Sequence, residues 1–152
     1  MRHVAIAILV VVLTGSFAVC ADDSTNSKSP DSPLQGAWRL VAGKYGDATE
    51  FQNAPPEETM IKLVTDTHFT WVRFDSETKE VSHAAGGRCT VNGDRYTEYI
   101  EYGVGPVMQL KGSKQTFTWK LEGNKWHHSG TLSNGTKLEE IFERVKKEPL
   151  KE

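Results

Sequence analysis

From Leu34 to Val145 the chain is written almost entirely in period two, as short apolar–polar alternations cut by glycine, asparagine, aspartate and proline. Alternation puts every second side chain on one face of a strand, and the residues between runs mark turns. Helical spacing is nearly absent. Gly36 to Lys44 sets Trp38, Leu40 and Ala42 against Arg39, Val41 and Gly43. Tyr45 to Glu58 breaks the pattern with Gly46-Asp47 and Pro55-Pro56 and is the longest connection, expected to arch over one end of the fold. Thr59 to Thr65 and Thr67 to Phe74 read as strands around Asp66, and Asp75 to Lys79 as a hairpin loop. Glu80 to Ala84, a bend at Gly86-Gly87, and Arg88 to Val91 follow. Asn92-Gly93 predicts a tight hairpin with positive φ at both residues. Arg95 to Tyr102, Val107 to Leu110, Gln115 to Leu121, Lys125 to Leu132 and Thr136 to Val145 complete the series. Sequential strands joined by short hairpins predict an all-β fold, a single antiparallel up-and-down barrel of about eight to ten strands.

The front of the chain has a different character. Met1-Arg2-His3 is basic, Val4 to Leu13 is an apolar run too short to span a bilayer, and small residues follow to Ala21. Residues 1–21 are therefore expected to be a secretory signal. Residues 22–33, rich in Asp, Ser, Asn and Lys, read as a solvated tether. Residues 34–146 are the barrel and 147–152 a charged tail. Val19-Cys20-Ala21 before Asp22 suits an ordinary signal peptidase, and Ser16-Phe17-Ala18 offers a second site. Phe17-Ala18-Val19-Cys20 resembles a degenerate lipobox, in which Cys20 would be acylated. The expected address is periplasmic or extracellular, or the outer membrane by the lipid route. A lipid anchor at Cys20 is the only membrane attachment this reading contains.

The chain holds two cysteines, Cys20 and Cys89. With Cys20 cleaved away or acylated, Cys89 has no disulfide partner and reads as a small buried hydrophobe. The formal charge of −2, with Lys and Arg scattered among acids, argues against a nucleic-acid partner.

In order along the chain, LQGAWRLV, IKLVTDTHFTWVRFD, YTEYIEYG, QTFTWKLEGNKWHHSGTLSNG and EEIFERV resemble bacterial secreted lipocalin-like domains of unknown function. The resemblance covers nearly all of Leu34 to Val145 and implies a calycin-like barrel with an internal cavity. It also implies that Gly36-x-Trp38 on the first strand and Arg144 on the last close the narrow end, the guanidinium lying across the indole. The chain departs from well-studied lipocalins in lacking a disulfide pair and a clear C-terminal helix.

Function in such a barrel depends on what points inward. Parity groups Trp71 and Arg73 with Phe69; Tyr96 and Glu98 with Ile100 and Tyr102; Trp119 with Phe117 and Leu121; and His128 with Trp126. With the aromatic faces inward, Trp71, Arg73, Tyr96, Glu98, Trp119 and His128 line one cavity. Arg73 and Glu98 would then pair with each other or meet a ligand, or else sit at the rim in water. His127 and His128 point to opposite strand faces, so they cannot share one ion, and neither a metal nor a cofactor is expected. Ser129 beside His128 lacks a nucleophile elbow. The pairs Glu98/Glu101 and Glu139/Glu140 have no fixed separation of the kind glycoside hydrolysis needs. Gly103-x-Gly105 is a turn rather than a phosphate loop.

Three functions stay open. The first is a barrel that binds a small, largely apolar or aromatic molecule. The second is a cell-envelope interaction module whose barrel is filled by its own side chains, with its protein partner unspecified. The third is an enzyme that uses Arg73, Glu98 and His128 on a small substrate. Binding is favoured over catalysis because no nucleophile or metal is identified.

Overall fold

The computed structural model describes residues 32–146. The signal reading at 1–21, the tether up to 31 and the tail at 147–152 lie outside the described residues. The strands are β1 (Gly36–Tyr45), β2 (Gln52–Asn53), β3 (Glu58–Val64), β4 (His68–Asp75), β5 (Val81–Asn92), β6 (Arg95–Val104), β7 (Lys114–Glu122), β8 (Lys125–Thr131) and β9 (Lys137–Arg144). From β3 onward each strand pairs antiparallel with the next. β1 pairs with both β3 and β9, which closes an eight-stranded barrel. β2 is an addition to that barrel, set against Ala42 and Gly43 above the stretch of β1 that β3 occupies.

The loop after β1 therefore partly folds back onto the wall. Val107 to Leu110, read from sequence as a strand, is instead part of a 3-10 helix over Pro106–Leu110. Pro106 sits at its first turn, where a missing N–H costs nothing. A wedge opens above Tyr99, where β6 stops pairing with β7, and the helix lies in the connection there, packed back against β6 and β5. At the β5–β6 hairpin Asn92 pairs with Arg95, so the turn residues are Gly93 and Asp94, and only Gly93 carries a positive φ.

Three register shifts decide which side chains face inward, because one extra residue reverses a strand's parity. Val41 is the extra residue of β1 against β9. Above it Gly43 and Tyr45, rather than Ala42, lie opposite the inward Glu140 and Leu138. The bend at Gly86-Gly87 corresponds to a shift against β6 that skips Glu101 and turns Tyr102 outward. Tyr102 thus leaves the face that parity assigns it, and more than half of its surface is exposed. A third shift lies between Arg73 and Phe74, against β5.

The lower half of the barrel is dry core. Trp38, Trp126 and Phe142 are fully buried, with Leu34 packed among them from below. Trp38 meets Trp126 edge-on at 5.5 Å, and Trp126 meets Tyr96 edge-on at 5.2 Å, geometries that aromatic quadrupoles favour. The Trp38 indole N–H donates to the Leu34 carbonyl at 2.7 Å. The Arg144 guanidinium carbon lies 4.0 Å from the centre of the Trp38 ring. Its two terminal nitrogens donate to the Gln35 and Pro33 carbonyls, each at 2.7 Å. Pro33, read from sequence as the end of the tether, is thereby part of the floor, and Ser32 before it accepts from the Leu34 and Gln35 N–H groups. Gly36 permits this clamp. Its φ of 128° disfavours any side chain, and a Cβ there would stand 2.7 Å from an Arg144 nitrogen.

Replacing Arg144 by Ala removes the cation–π contact and two charge-assisted hydrogen bonds at once. Urea denaturation should show a loss of about 1–3 kcal/mol. A variant as stable as the wild type would show that the floor closes without the clamp.

Candidate functional site

Above the aromatic floor the barrel holds a cavity of about 310 Å³. Apolar wall comes from Met60, Trp71, Ile100, Phe117 and Leu138, with Val107 and Leu110 of the 3-10 helix at the mouth, and polar wall includes Gln109, Gln115 and Asn134. A second space of about 320 Å³ lies beneath the loop from Gly46 to Glu57 and shares Tyr45, Met60 and Arg73 with the first. Two charged clusters reach the main cavity from opposite walls.

The first cluster is Lys62 and Glu98. Period two places Lys62 between Met60 and Val64 on the inward face of β3, and Glu98 between Tyr96 and Ile100 on β6. The Lys62 ammonium donates to Glu98 Oε1 at 2.9 Å, with both side chains almost wholly buried. Its remaining surroundings are rings: Phe142 at 5.0 Å, Trp126 at 5.3 Å and Tyr96 at 5.7 Å from Nζ to the ring centres. A buried ammonium is tolerated here because a carboxylate bonds it and π faces surround the rest.

The second cluster runs Tyr45, Glu140, His128. The Tyr45 hydroxyl donates to Glu140 Oε1 at 2.7 Å, although 44% of the tyrosine surface stays exposed. Gly43 makes room, since a Cβ there would collide with the Tyr45 ring at 2.5 Å. Glu140 Oε2 lies 2.7 Å from His128 Nε2. Burial, followed by the Glu140 charge, pushes the Tyr45 phenol far above its usual range, so it stays a donor. Burial works to raise the Glu140 carboxyl. The hydrogen bonds from His128 and Tyr45 and the Lys62 charge outweigh it and hold the group ionised. Burial first, and the Lys62 charge second, lower the His128 pKa despite Glu140, so the imidazole is neutral near pH 7. Its ring is stacked flat on Phe117, centres 4.5 Å apart and planes 4° apart.

Of the residues that parity brings together, Trp71, Arg73, Glu98 and His128 line the cavity. Tyr96 is fully buried beneath them, as floor rather than lining. Trp119 lies lower on β7, half-buried and outside the cavity. Arg73 does not pair with Glu98. It reaches Glu58 at 3.2 Å near the rim, and Lys62 takes the place of its guanidinium at Glu98. Sequence reasoning missed Tyr45, Lys62 and Glu140. The signal for the last two was present: each is a charge in the inward phase of an apolar strand, Lys62 between Met60 and Val64, Glu140 between Leu138 and Phe142. Tyr45 was hidden by the shift at Val41.

Burial, with the Glu98 charge behind it, pushes the Cys89 thiol up to about 11, which leaves little thiolate at neutral pH. Among the described residues no three His, Cys, Asp or Glu side chains converge on a point that could hold a metal ion.

The chain matches no protein-family model and no curated protein. Its fold does match solved structures. A lipocalin-like protein from Bacteroides uniformis ATCC 8492 superposes with a TM-score of 0.52 at 15% identity, covering 74% of this chain and 98% of that one. An uncharacterized protein from Bacteroides eggerthii DSM 20697 gives 0.51 at 13% identity, covering 73% and 98%. A REP1-NXSQ fatty acid transporter overlaps loosely, with a TM-score of 0.33 at 16% identity over 76% and 98%. The fold is thus lipocalin-like: a closed antiparallel barrel around an interior space.

Two outcomes test the buried clusters. Glu98→Ala leaves the Lys62 ammonium without its carboxylate and should cost about 3 kcal/mol or more in chemical denaturation. A midpoint equal to wild type would place the pair in water. The second outcome is a pH dependence. Below about pH 6.5 the unfolded chain takes up a proton at His128 that the folded barrel resists, so folding stability should fall as pH drops from 7 toward 5. The slope from this one group is at most about 1.4 kcal/mol per pH unit. His128→Gln, which keeps a donor for Glu140, should remove that part of the slope; an unchanged slope assigns it elsewhere.

Proposed function

We propose that this protein is an exported barrel that binds a small, largely apolar molecule in its cavity. The observation that carries this reading is the interior space of about 310 Å³ in a barrel whose lower half is tightly filled. A barrel of this strand number is just wide enough to be packed solid or to hold one small ligand, and ligand sites begin at roughly this volume. An interaction module with a side-chain-filled core would not keep such a space. The acid–base enzyme reading would rest on Arg73, Glu98 and His128, but each is already bonded to another side chain, to Glu58, Lys62 and Glu140 respectively. Trp71 and Phe117 supply flat apolar wall, and the charged groups are paired among themselves, so apolar and aromatic bodies fit best.

Export rests on the order basic, apolar, small-residue over Met1 to Ala21. The protein then works in the periplasm or outside the cell, and acylation at Cys20 would hold it at the outer membrane.

The uncharged reporter N-phenyl-1-naphthylamine should bind at one site per barrel with enhanced, blue-shifted emission. Leu132→Trp, which crowds the cavity from the mouth, should weaken that binding while leaving the far-UV circular dichroism intact. Absence of reporter binding to the folded wild type would overturn the binding reading. Mass measurement on protein from its own host reads the export: an N-terminus at acylated Cys20, at Asp22 or at Val19 supports it, and retained Met1 refutes it.

A further inference from the structure

Among the charged side chains of the interior, Arg73 alone lines both spaces, the main cavity of about 310 Å³ and the space of about 320 Å³ beneath the loop. Its Nη1 donates to Glu58 Oε2 at 3.2 Å, and its Nη2 reaches Met60 Sδ at 3.9 Å. Glu58 lines the loop space and Met60 lines both, so the guanidinium stands at their junction. A guanidinium is a fork of N–H donors and accepts nothing. Beyond those two contacts the remaining Arg73 N–H groups, Nε–H among them, have no acceptor among the described residues. Lys62 is the other cation of the main cavity. It lies deep, its side chain 3% exposed, bonded to Glu98 and surrounded by three aromatic rings. The Arg73 side chain is 31% exposed, so an entering molecule meets it first.

The loop space has a fixed cover. Asn53 and Gln52 pair with Ala42 and Gly43 of β1, and the Ala54 N–H donates to the Val41 carbonyl at 2.9 Å. At the other end of the loop the Gly46 N–H donates to the Lys137 carbonyl at 2.8 Å. The space beneath is lined by small apolar groups, Ala48, Ala54 and Pro55, and by the amides of Gln52 and Asn53. The main cavity has larger apolar wall, with Trp71, Ile100 and Phe117. The two spaces thus differ in character, one suited to an apolar body and the other to a small polar group. What lies between them faces the Arg73 fork, which bonds an accepting oxygen whether it is a neutral carbonyl or a carboxylate.

We propose that the two spaces form one elongated binding site with Arg73 at its middle, holding a carbonyl or carboxyl oxygen of the ligand. The apolar or aromatic body of that molecule lies in the main cavity, and a small polar end lies beneath the loop against Gln52 and Asn53. Acyl conjugates, in which an amide or ester joins an apolar acid to a small polar partner, have this order of parts. This rests on the binding reading above and adds the chemical class of the ligand. Glu58 then acts as a positioning residue, holding the guanidinium from the rim side.

The test titrates four probes at pH 7.5 against bound N-phenyl-1-naphthylamine: 4-phenylbutylamine, 4-phenylbutanamide, 4-phenylbutanoate and N-(4-phenylbutanoyl)glycinamide. The amine offers donors and no acceptor. The amide or the carboxylate should displace the reporter at concentrations roughly tenfold or more below the amine, as for a site built around a hydrogen bond. The amide leading assigns an acyl conjugate, and the carboxylate leading assigns a free acid. The glycinamide, which reaches past Arg73, should displace the reporter at lower concentration than 4-phenylbutanamide. Arg73→Met keeps the apolar stem and leaves Glu58 at the rim. It should erase the preference for an accepting oxygen while reporter affinity stays within about twofold. Ala48→Trp, at an exposed loop position, should crowd the space beneath the loop and weaken the glycinamide alone. On the wild-type protein the Arg73 Nε–H cross-peak should move as the amide binds and stay in place with the amine, a readout that a rim ion pair alone would not give. An amine that binds as tightly as the amide and the carboxylate, or an oxygen preference that survives Arg73→Met, would overturn the Arg73 assignment and leave the binding barrel standing. A glycinamide weaker than 4-phenylbutanamide would overturn the joining of the two spaces. A reporter that fails to bind the folded wild type would overturn the binding reading and this inference with it.

Discussion

Everything in this molecule depends on the first strand meeting the last. β1 pairs with β9 from Trp38–Arg144 at the floor to Tyr45–Leu138 at the mouth, and without that seam the remaining strands would form an open, twisted sheet with two bare edges. Closure of this kind joins residues at opposite ends of the domain, so its entropic cost is large and it needs a specific reward. Arg144 supplies one. It comes from the last strand, stacks on a tryptophan of the first, and bonds the carbonyls of the segment that enters the first. One side chain thus ties entry, first strand and last strand, and the packed aromatic layer above it can form only when all three are in place.

The two halves of the barrel spend their interior differently. The lower half is aromatic and dry, with rings in edge-on and stacked contact. The upper half admits ionised groups, each bonded to another side chain before it is buried. Buried pairs of this sort contribute little net stability compared with well-packed hydrophobes, but they are unforgiving of displacement, because separating the partners strands a charge. The cavity therefore has a rigid polar geometry against soft apolar walls, which is how a small site gains selectivity out of proportion to its contact area.

Much of this was legible in the sequence. The alternation of Trp38 with Leu40, of Phe69 with Trp71 and Arg73, and of Tyr96 with Glu98 and Ile100 placed those residues inside, because period two needs no tertiary knowledge. Three things were not legible. The shift at Val41 brings Tyr45 inward, and that at Glu101 turns Tyr102 outward; an irregularity in pairing belongs to two strands and leaves no mark in either alone. The partner of Glu98 could not be chosen, since Arg73 and Lys62 lie on neighbouring strands in the same inward phase and only the tilt of the barrel brings Lys62 within 2.9 Å. Finally, Pro106 to Leu110 alternates too briefly to separate a strand from a 3-10 helix.

The wedge between β6 and β7 has a counterpart. β1 leaves β3 above Arg39–Ile61, and β6 leaves β7 above Tyr99–Lys114, so the wall has two seams at the same end. Beside each lies a short piece with few backbone bonds, the two-residue β2 paired with β1 at one and the 3-10 helix packed on β6 and β5 near the other. Strands elsewhere are locked along most of their length, so thermal opening concentrates at these patches, where only a few hydrogen bonds must break. Amide exchange in Gln52–Asn53 and Val107–Leu110 reports how often these patches open, a quantity separable from the stability of the fold itself.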